Sequence, residues 1–227
     1  ALPIWGLAHK TQDPRLLKAF REKFDIHRWA ASLVFKKNME DINERERKKA
    51  KTVNFGIAYC IGPEGLAVKG NMSLEEAKKV MKAWKIEFAE VPKWIREVQR
   101  DAFRTKVSIT EFGRRRRFTV VDFDSPEGRE SLRQAVNFPI QSIASDITVF
   151  GMVKVYKWLK KRGLKSVLIG NVHDASLTDC PPNEYMEVAR MTKKLMENPG
   201  LPFKFKCPLA LEVKAGRSWK DMKVLEI

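Results

Sequence analysis

Apolar positions along this chain recur mostly at helical spacing. Asp13-Pro14 pairs a cap residue with a proline suited to a first turn, and Leu16, Leu17 and Phe20 follow as an apolar stripe, so a helix starts there. Asp25 stands the same way before Ile26-His27 and predicts another cap. Arg45 to Gly62 reads as helix. Ser73-Leu74-Glu75-Glu76 has the form of a capping box ahead of an amphipathic run with Ala77, Val80, Met81 and Trp84 inward. Val91-Pro92 breaks that run, and Trp94, Ile95, Val98 and Phe103 make the next stripe. Arg133 to Gly163 is one long helical pattern that Pro139 should kink and Gly163 should end. Asn183 to Asn198 is a closing helix carrying Met186, Ala189 and Leu195. Ser166 to Asp179 reads instead as strands meeting at a tight corner. Pro208 to Lys214 alternates Leu209, Leu211 and Val213 as an antiparallel strand. Asp122 to Gly128, polar and holding Pro126, reads as a surface loop.

At 227 residues with 44% apolar content the chain can bury a core in one or two domains. It has no uninterrupted apolar run long enough to span a bilayer, so no membrane-spanning segment is expected. The formal net charge of +16 changes the picture more: it predicts a polyanionic partner, nucleic acid first and an acidic membrane surface second. Cys60, Cys180 and Cys207 are scattered, odd in number and without metal-ligand spacing, so they read as reduced cytosolic thiols.

The chemistry concentrates in RERKKAKTVNFGIAYCIG. Arg47, Lys51, Phe55 and Tyr59 recur every four residues and climb one slowly drifting helix face, rising about 18 Å at 1.5 Å per residue. Cations come first and rings follow, the order of parts in a nucleoside triphosphate. Arg grips phosphate oxygens with a fork, Lys adds a point charge, and rings pack on sugar and base. Gly56, next to Phe55, would keep bulk away from that ring. An ordinary amphipathic helix with solvated cations and a buried Phe and Tyr would show the same spacing.

The residue string goes beyond spacing. R-x-x-x-K-x-x-x-F-G-x-x-Y resembles the nucleotide-binding helix in the fingers of family A DNA polymerases, the bacterial polymerase I type, although Cys60 stands where that family usually has Gly. Asp25-Ile26-His27 is similar to the family's D-I-H, whose His approaches the incoming phosphates; a capped helix with a surface His is the plainer reading. FGRRRRF, with Arg114 and Arg115, resembles a G-R-R segment near the template strand. Arg133, Asn137 and Gln141 lie four apart and resemble the segment that contacts template and primer. Donors there would check pair geometry, since minor-groove acceptors are placed almost alike in every correct pair. Flanking Ala135, Val136, Phe138 and Ile140 look buried. Val172-His173-Asp174 resembles the palm hairpin in which Asp holds catalytic metal and His lies near the primer end; Ala175 replaces the Glu that usually follows. LAHKTQD and LEVKAGRSWKDM also match, so the resemblance covers nearly the whole chain in order.

That resemblance implies an α/β right-hand polymerase fold, with a small antiparallel palm sheet and a mostly helical fingers subdomain. Residues 1–12 would be palm, 13–107 fingers and 108–227 palm, with the thumb absent from this chain. It implies template-directed nucleotidyl transfer with Mg²⁺, two ions expected and one ligand missing: the first metal-binding Asp would fall just before Ala1. Asp174 is the implied metal ligand, and Asp174, Lys51 and His173 the catalytic set. Arg47, Lys51, Phe55, Tyr59 and His27 would bind nucleotide, with Phe55 implying discrimination against dideoxynucleotides. The family's 2′-hydroxyl guard falls on Pro3. Arg133, Asn137, Gln141, His173, Arg114 and Arg115 would meet DNA. The implied partners are primer-template DNA, deoxynucleoside triphosphates and an upstream polypeptide with the thumb and first Asp, in the cytoplasm of a bacterial or phage-infected cell. A catalytically lapsed DNA-binding remnant or accessory module is the alternative, and Ala175 and Pro3 favour it.

Overall fold

The computed structural model describes residues 2–119, 122 and 124–227 and divides into a unit of residues 1–143 and a unit of residues 144–227. In the first unit, α1 (Leu2–Thr11) is followed by α2 (Pro14–Arg21), α3 (Ile26–Phe35) and α4 (Glu44–Ala58). The caps are those the sequence predicts. The Asp13 carboxylate accepts from the amides of Arg15 and Leu16, at 3.0 and 3.2 Å. Asp25 accepts from His27 and Arg28, at 2.9 and 3.1 Å. Each cap satisfies orphan donors of a helix start that would otherwise face desolvation unpaired. Asn43 and Glu46 cap α4 reciprocally, a complete capping box that the sequence reading did not single out.

A short helix, α5 (Pro63–Gly70), follows, then α6 (Leu74–Glu87) and α7 (Glu90–Thr105). Ser73 caps α6 through the Glu76 amide at 3.1 Å. The return half of that expected box is diverted: the Glu76 carboxylate takes the Lys49 ammonium of α4 instead. The break between α6 and α7 falls at Phe88, and Pro92 sits inside the first turn of α7, where its missing N–H costs nothing. Phe103 departs from the predicted stripe. It is exposed beneath the Lys106 ammonium, 4.8 Å from its centroid, while neighbouring Ala102 is the buried residue.

FGRRRRF supplies part of the connection and the second strand of a hairpin, β1 (Val107–Ile109) against β2 (Arg115–Arg117), with Gly113 at φ +77° in the connection. The polar loop expected at Asp122 to Gly128 lies partly outside the described residues, and its end is corrected: Pro126 already opens α8 (Pro126–Arg162). Pro139 does not interrupt α8. Gly163, at φ +65°, ends it: its own amide reaches Lys160 O and the next amide reaches Leu159 O. Gly6 of α1 is where bulk is forbidden, because a Cβ there would come within 3.0 Å of Ile140 O. Ile4, Leu7, Leu16, Val53, Leu66, Trp84, Val136 and Ile140 form the core of this unit.

In the second unit, β3 (Val167–Val172) and β4 (Ala175–Asp179) form an antiparallel hairpin with a register shift between Leu168 and Gly170. Val155, Leu159, Val188 and Met196 make its core, joining α8 residues to α9 (Tyr185–Glu197), with Leu168 and Leu211 against them. The strand predicted at Pro208 to Lys214 does not form. Only β5 (Lys214–Ala215) pairs, with β6 (Lys223–Val224). Alternation alone does not make a strand: only the end of this segment finds the facing chain, where Val213 O accepts from the Leu225 amide at 2.9 Å, and its Leu211 amide is taken by the Glu197 carboxylate at 2.9 Å. Among the described residues no helix is long and apolar enough to cross a membrane.

Candidate functional site

The α4 face gathers the residues proposed for the triphosphate. Arg47 is held before any ligand arrives, donating through Nε to Asp25 Oδ2 at 2.8 Å, with its Nη2 also on that oxygen at 2.7 Å. Lys51 stands exposed one turn on. Phe55 and Tyr59 are half-buried, with ring planes within 18° of parallel and centroids 6.5 Å apart. Tyr59 is the C-cap, so α4 ends at the last of the four positions. Cys60 follows at φ +52°, the left-handed region, in the place where the family pattern has Gly. Gly56 has a different job from the one its neighbour suggested. A Cβ there would meet Leu66 Cδ1 at 3.1 Å, so it admits α5 rather than clearing space beside Phe55.

His27 joins this face, its ring 5.6 Å from Phe55. It is buried, not the surface residue of the plainer reading. Burial, together with the nearby Lys51 and Arg47 charges and against the pull of Asp25, drives its pKa down to about 4, so the ring is neutral at pH 7. Asp25 moves the other way. Against its burial, the Arg28 amide, the Arg47 guanidinium and the His27 amide keep its carboxyl below the ordinary range.

Sequence reasoning missed Asn54. It is 2% exposed and faces inward between His27 Nδ1 at 2.9 Å and Trp84 Nε1 at 2.6 Å. The available signal was a polar side chain among Val53, Gly56 and Ile57 on the buried face of α4. A half-buried ion pair, Lys10 to Glu111 at 2.6 Å, ties α1 to the loop after β1, with His9 at 3.7 Å. Burial opposes the charge on Glu111, but the His9 and Lys10 contacts prevail and lower its pKa to about 2.

The proposed DNA contacts other than His173 are spread over this same unit. Arg114 and Arg115 lie exposed in the β1–β2 hairpin, and Arg116 donates to Gln134 at 2.5 Å. On α8, Arg133 is ion-paired with Glu130 through Nε at 2.8 Å. Asn137 is half-buried, with its Oδ1 unpartnered, and Gln141 is exposed. Ala135, Val136 and Ile140 are buried as predicted, while Phe138 is half-buried.

In the second unit, His173 and Asp174 form the two-residue tip between Val172 and Ala175. Both are exposed, and His173 is at φ +55°. A carboxylate is correct chemistry for Mg²⁺. The described residues, however, contain no group of three or more His, Cys, Asp or Glu side chains placed to hold a metal, so Asp174 is a partial donor set.

The model of DNA polymerase family A matches residues 3–221. DNA polymerase I of Caldicellulosiruptor bescii is 35% identical over 218 residues, which is 96% of this chain and 25% of that protein. The DNA polymerase of Bacillus phage SP01 is 32% identical, over 92% of this chain and 24% of its own length. The thermostable DNA polymerase I of Thermus aquaticus is 32% identical over 96% of the chain and 26% of its own length. The chain thus spans about a quarter of the length of these curated relatives. Among solved structures, the POL domain of Pol1 from M. smegmatis, in complex with DNA primer-template and dNTP, superposes with a TM-score of 0.88 at 30% identity. That match covers 96% of this chain and 38% of the other.

Proposed function

The chain belongs to DNA polymerase family A, and on that premise we propose that it is the nucleotide-binding and primer-side part of a template-directed DNA polymerase. The observation that carries this reading is the α4 face. Arg47 and Lys51 precede Phe55 and Tyr59, and His27 packs on Phe55. In this reading Arg47 and Lys51 bind the triphosphate oxygens and Phe55 stacks on the incoming nucleotide. Tyr59 packs near the template base. Lys51 gives a proton to departing pyrophosphate. Arg114, Arg115, Arg133, Asn137 and Gln141 contact the DNA, and His173 lies by the primer end. Residues 13–107 act as fingers, with 1–12 and 108–227 as palm.

Mg²⁺, when bound, would supply activation of the primer hydroxyl and charge neutralisation at the phosphates. Asp174 is the residue of this chain that would hold it, and because the donor set is partial no step is routed through the ion. An upstream polypeptide would supply the remaining ligand and the thumb. The bacterial and phage relatives support action in the cytoplasm of a bacterial or infected cell. Ala175, where a second carboxylate is usual, favours the alternative of a lapsed DNA-binding remnant.

Single-nucleotide incorporation and triphosphate binding by the full-length protein that carries this chain test the proposal. Saturable triphosphate binding, lost in Arg47→Ala, is expected. DNA binding with no measurable triphosphate affinity would overturn it in favour of the remnant.

A further inference from the structure

Three side chains from separate helices make one buried polar line. Trp84 of α6 donates from Nε1 to Asn54 Oδ1 at 2.6 Å, and Asn54 Nδ2 lies 2.9 Å from His27 Nδ1. Trp84 is 1% exposed, Asn54 2% and His27 7%. An indole N–H only donates, so it fixes which end of the Asn54 amide is oxygen. The amide NH₂ is then turned to His27 and only donates, so Nδ1 of that ring must accept. A neutral imidazole that accepts at Nδ1 carries its proton on Nε2. Nε2–H makes no hydrogen bond among the described residues.

We propose that Asn54, oriented by Trp84, is a positioning residue that holds His27 as its Nε2–H tautomer, so that this N–H donates to a phosphate oxygen of the bound triphosphate. The inference rests on the nucleotide-binding reading above. It adds a reason for a buried amide directly beside Phe55. A neutral His in this place acts as a directional donor, while Arg47 and Lys51 supply the charge. The opposite tautomer would present a lone pair to an anion and repel it.

The test reads the tautomer and the affinity separately, in the full-length protein. ¹⁵N NMR of histidine-labelled protein at pH 7 is expected to show His27 protonated at Nε2 alone. Asn54→Asp keeps an acceptor for Trp84 but offers His27 a carboxylate, so Nδ1 becomes protonated. Asn54→Leu leaves the tautomers mixed. Both variants are expected to weaken dCTP binding by about tenfold, the scale of one hydrogen bond to a charged group. In a His27→Ala background the Asn54→Leu change should have no further effect on affinity, because its action passes through the ring.

An Nδ1–H tautomer in the unmodified protein would overturn the proposal, with nucleotide binding untouched. An undiminished Asn54→Leu effect in the His27→Ala background would also overturn it, showing a structural role instead. Absence of dCTP binding to the unmodified protein alongside the Nε2–H tautomer would instead sink the nucleotide reading on which the phosphate contact depends. If Asn54→Leu does not fold, Asn54→Asp in both backgrounds carries the same comparison.

Discussion

Around α4 three candidate side chains lean on a neighbour: Arg47 on Asp25, His27 of α3 on Asn54, Phe55 on His27. At the β3–β4 tip, His173 and Asp174 stand exposed on a two-residue turn. The difference separates two ways of placing reactive groups. Around α4 geometry is set by buried polar contacts, so function and stability share residues. At the hairpin it is set by backbone pairing on either side, so a tip residue can be changed with little folding cost.

The most forceful way to break this comparison is at the tip. Asp174→Ala should lower primer extension by roughly a thousandfold or more while shifting the melting temperature by no more than about 1–2 °C. Rapid-quench incorporation and thermal melts on the same samples check both halves. A large loss of stability would show that the tip is as embedded as α4. Arg47→Ala is expected to reduce kcat/KM for nucleotide by about a hundredfold, since it removes a charge-assisted fork. It also leaves Asp25 without its cation, so about 1 kcal/mol of stability should go with it, read by denaturant titration.

Within the α4 region, Trp84→Phe keeps the ring and deletes one donor. Asn54 Oδ1 is then buried and unpaired, at a cost of about 1–3 kcal/mol. The equilibrium midpoint in urea measures it. A variant as stable as the parent would mean that Trp84 contributes only packing, such as its contact with Phe88 at 4.5 Å between centroids.

What was legible in the sequence follows the same division. Caps were readable because their chemistry is local: Asp13, Asp25 and Ser73 each bond amides two or three residues on. The tight corner at His173-Asp174 was readable because strands flank it in sequence. The buried line through Asn54 was not, because its partners lie 27 residues back and 30 residues on. No periodicity reports on such a distance. The β1–β2 hairpin was missed because its strands are 3 residues long and one is entirely arginine. α5 hides behind a single buried side chain, Leu66. The false strand at Pro208 to Lys214 shows the opposite error, a good alternation that meets a partner only at its last residues.

A pH scan sharpens the contrast further. His27 in the folded chain protonates near pH 4, against an ordinary value of 6.5. Between those values the unfolded chain binds the extra proton. Stability should therefore hold above about pH 6.5 and fall as pH drops toward 4, by roughly 2–3 kcal/mol from this group. His27→Gln should flatten that slope. Asp25, whose carboxyl is lowered, adds stability above its unfolded value that is lost only as pH falls further. Bound triphosphate should move the His27 titration upward, because its phosphates offset the Lys51 and Arg47 charges.

The smallest expected effect lies just past the end of α4. Cys60 sits at φ +52°, where a Cβ crowds the following carbonyl at a cost of about 1–2 kcal/mol. Glycine removes that cost but adds about 0.5–1 kcal/mol of chain entropy to be lost on folding. Cys60→Gly should therefore stabilise the chain by about 0.5 kcal/mol. The thiol contributes little by ionising, since burial lifts it to about 11 against the opposing pull of Lys85 and Arg133. Cys60→Ala separates the causes, because it discards the sulfur and keeps the Cβ. If Ala and Gly prove equally stable, backbone strain is not felt at this helix end. If Gly alone gains, the left-handed turn after Tyr59 carries the cost, and the gain should appear without any change in triphosphate affinity.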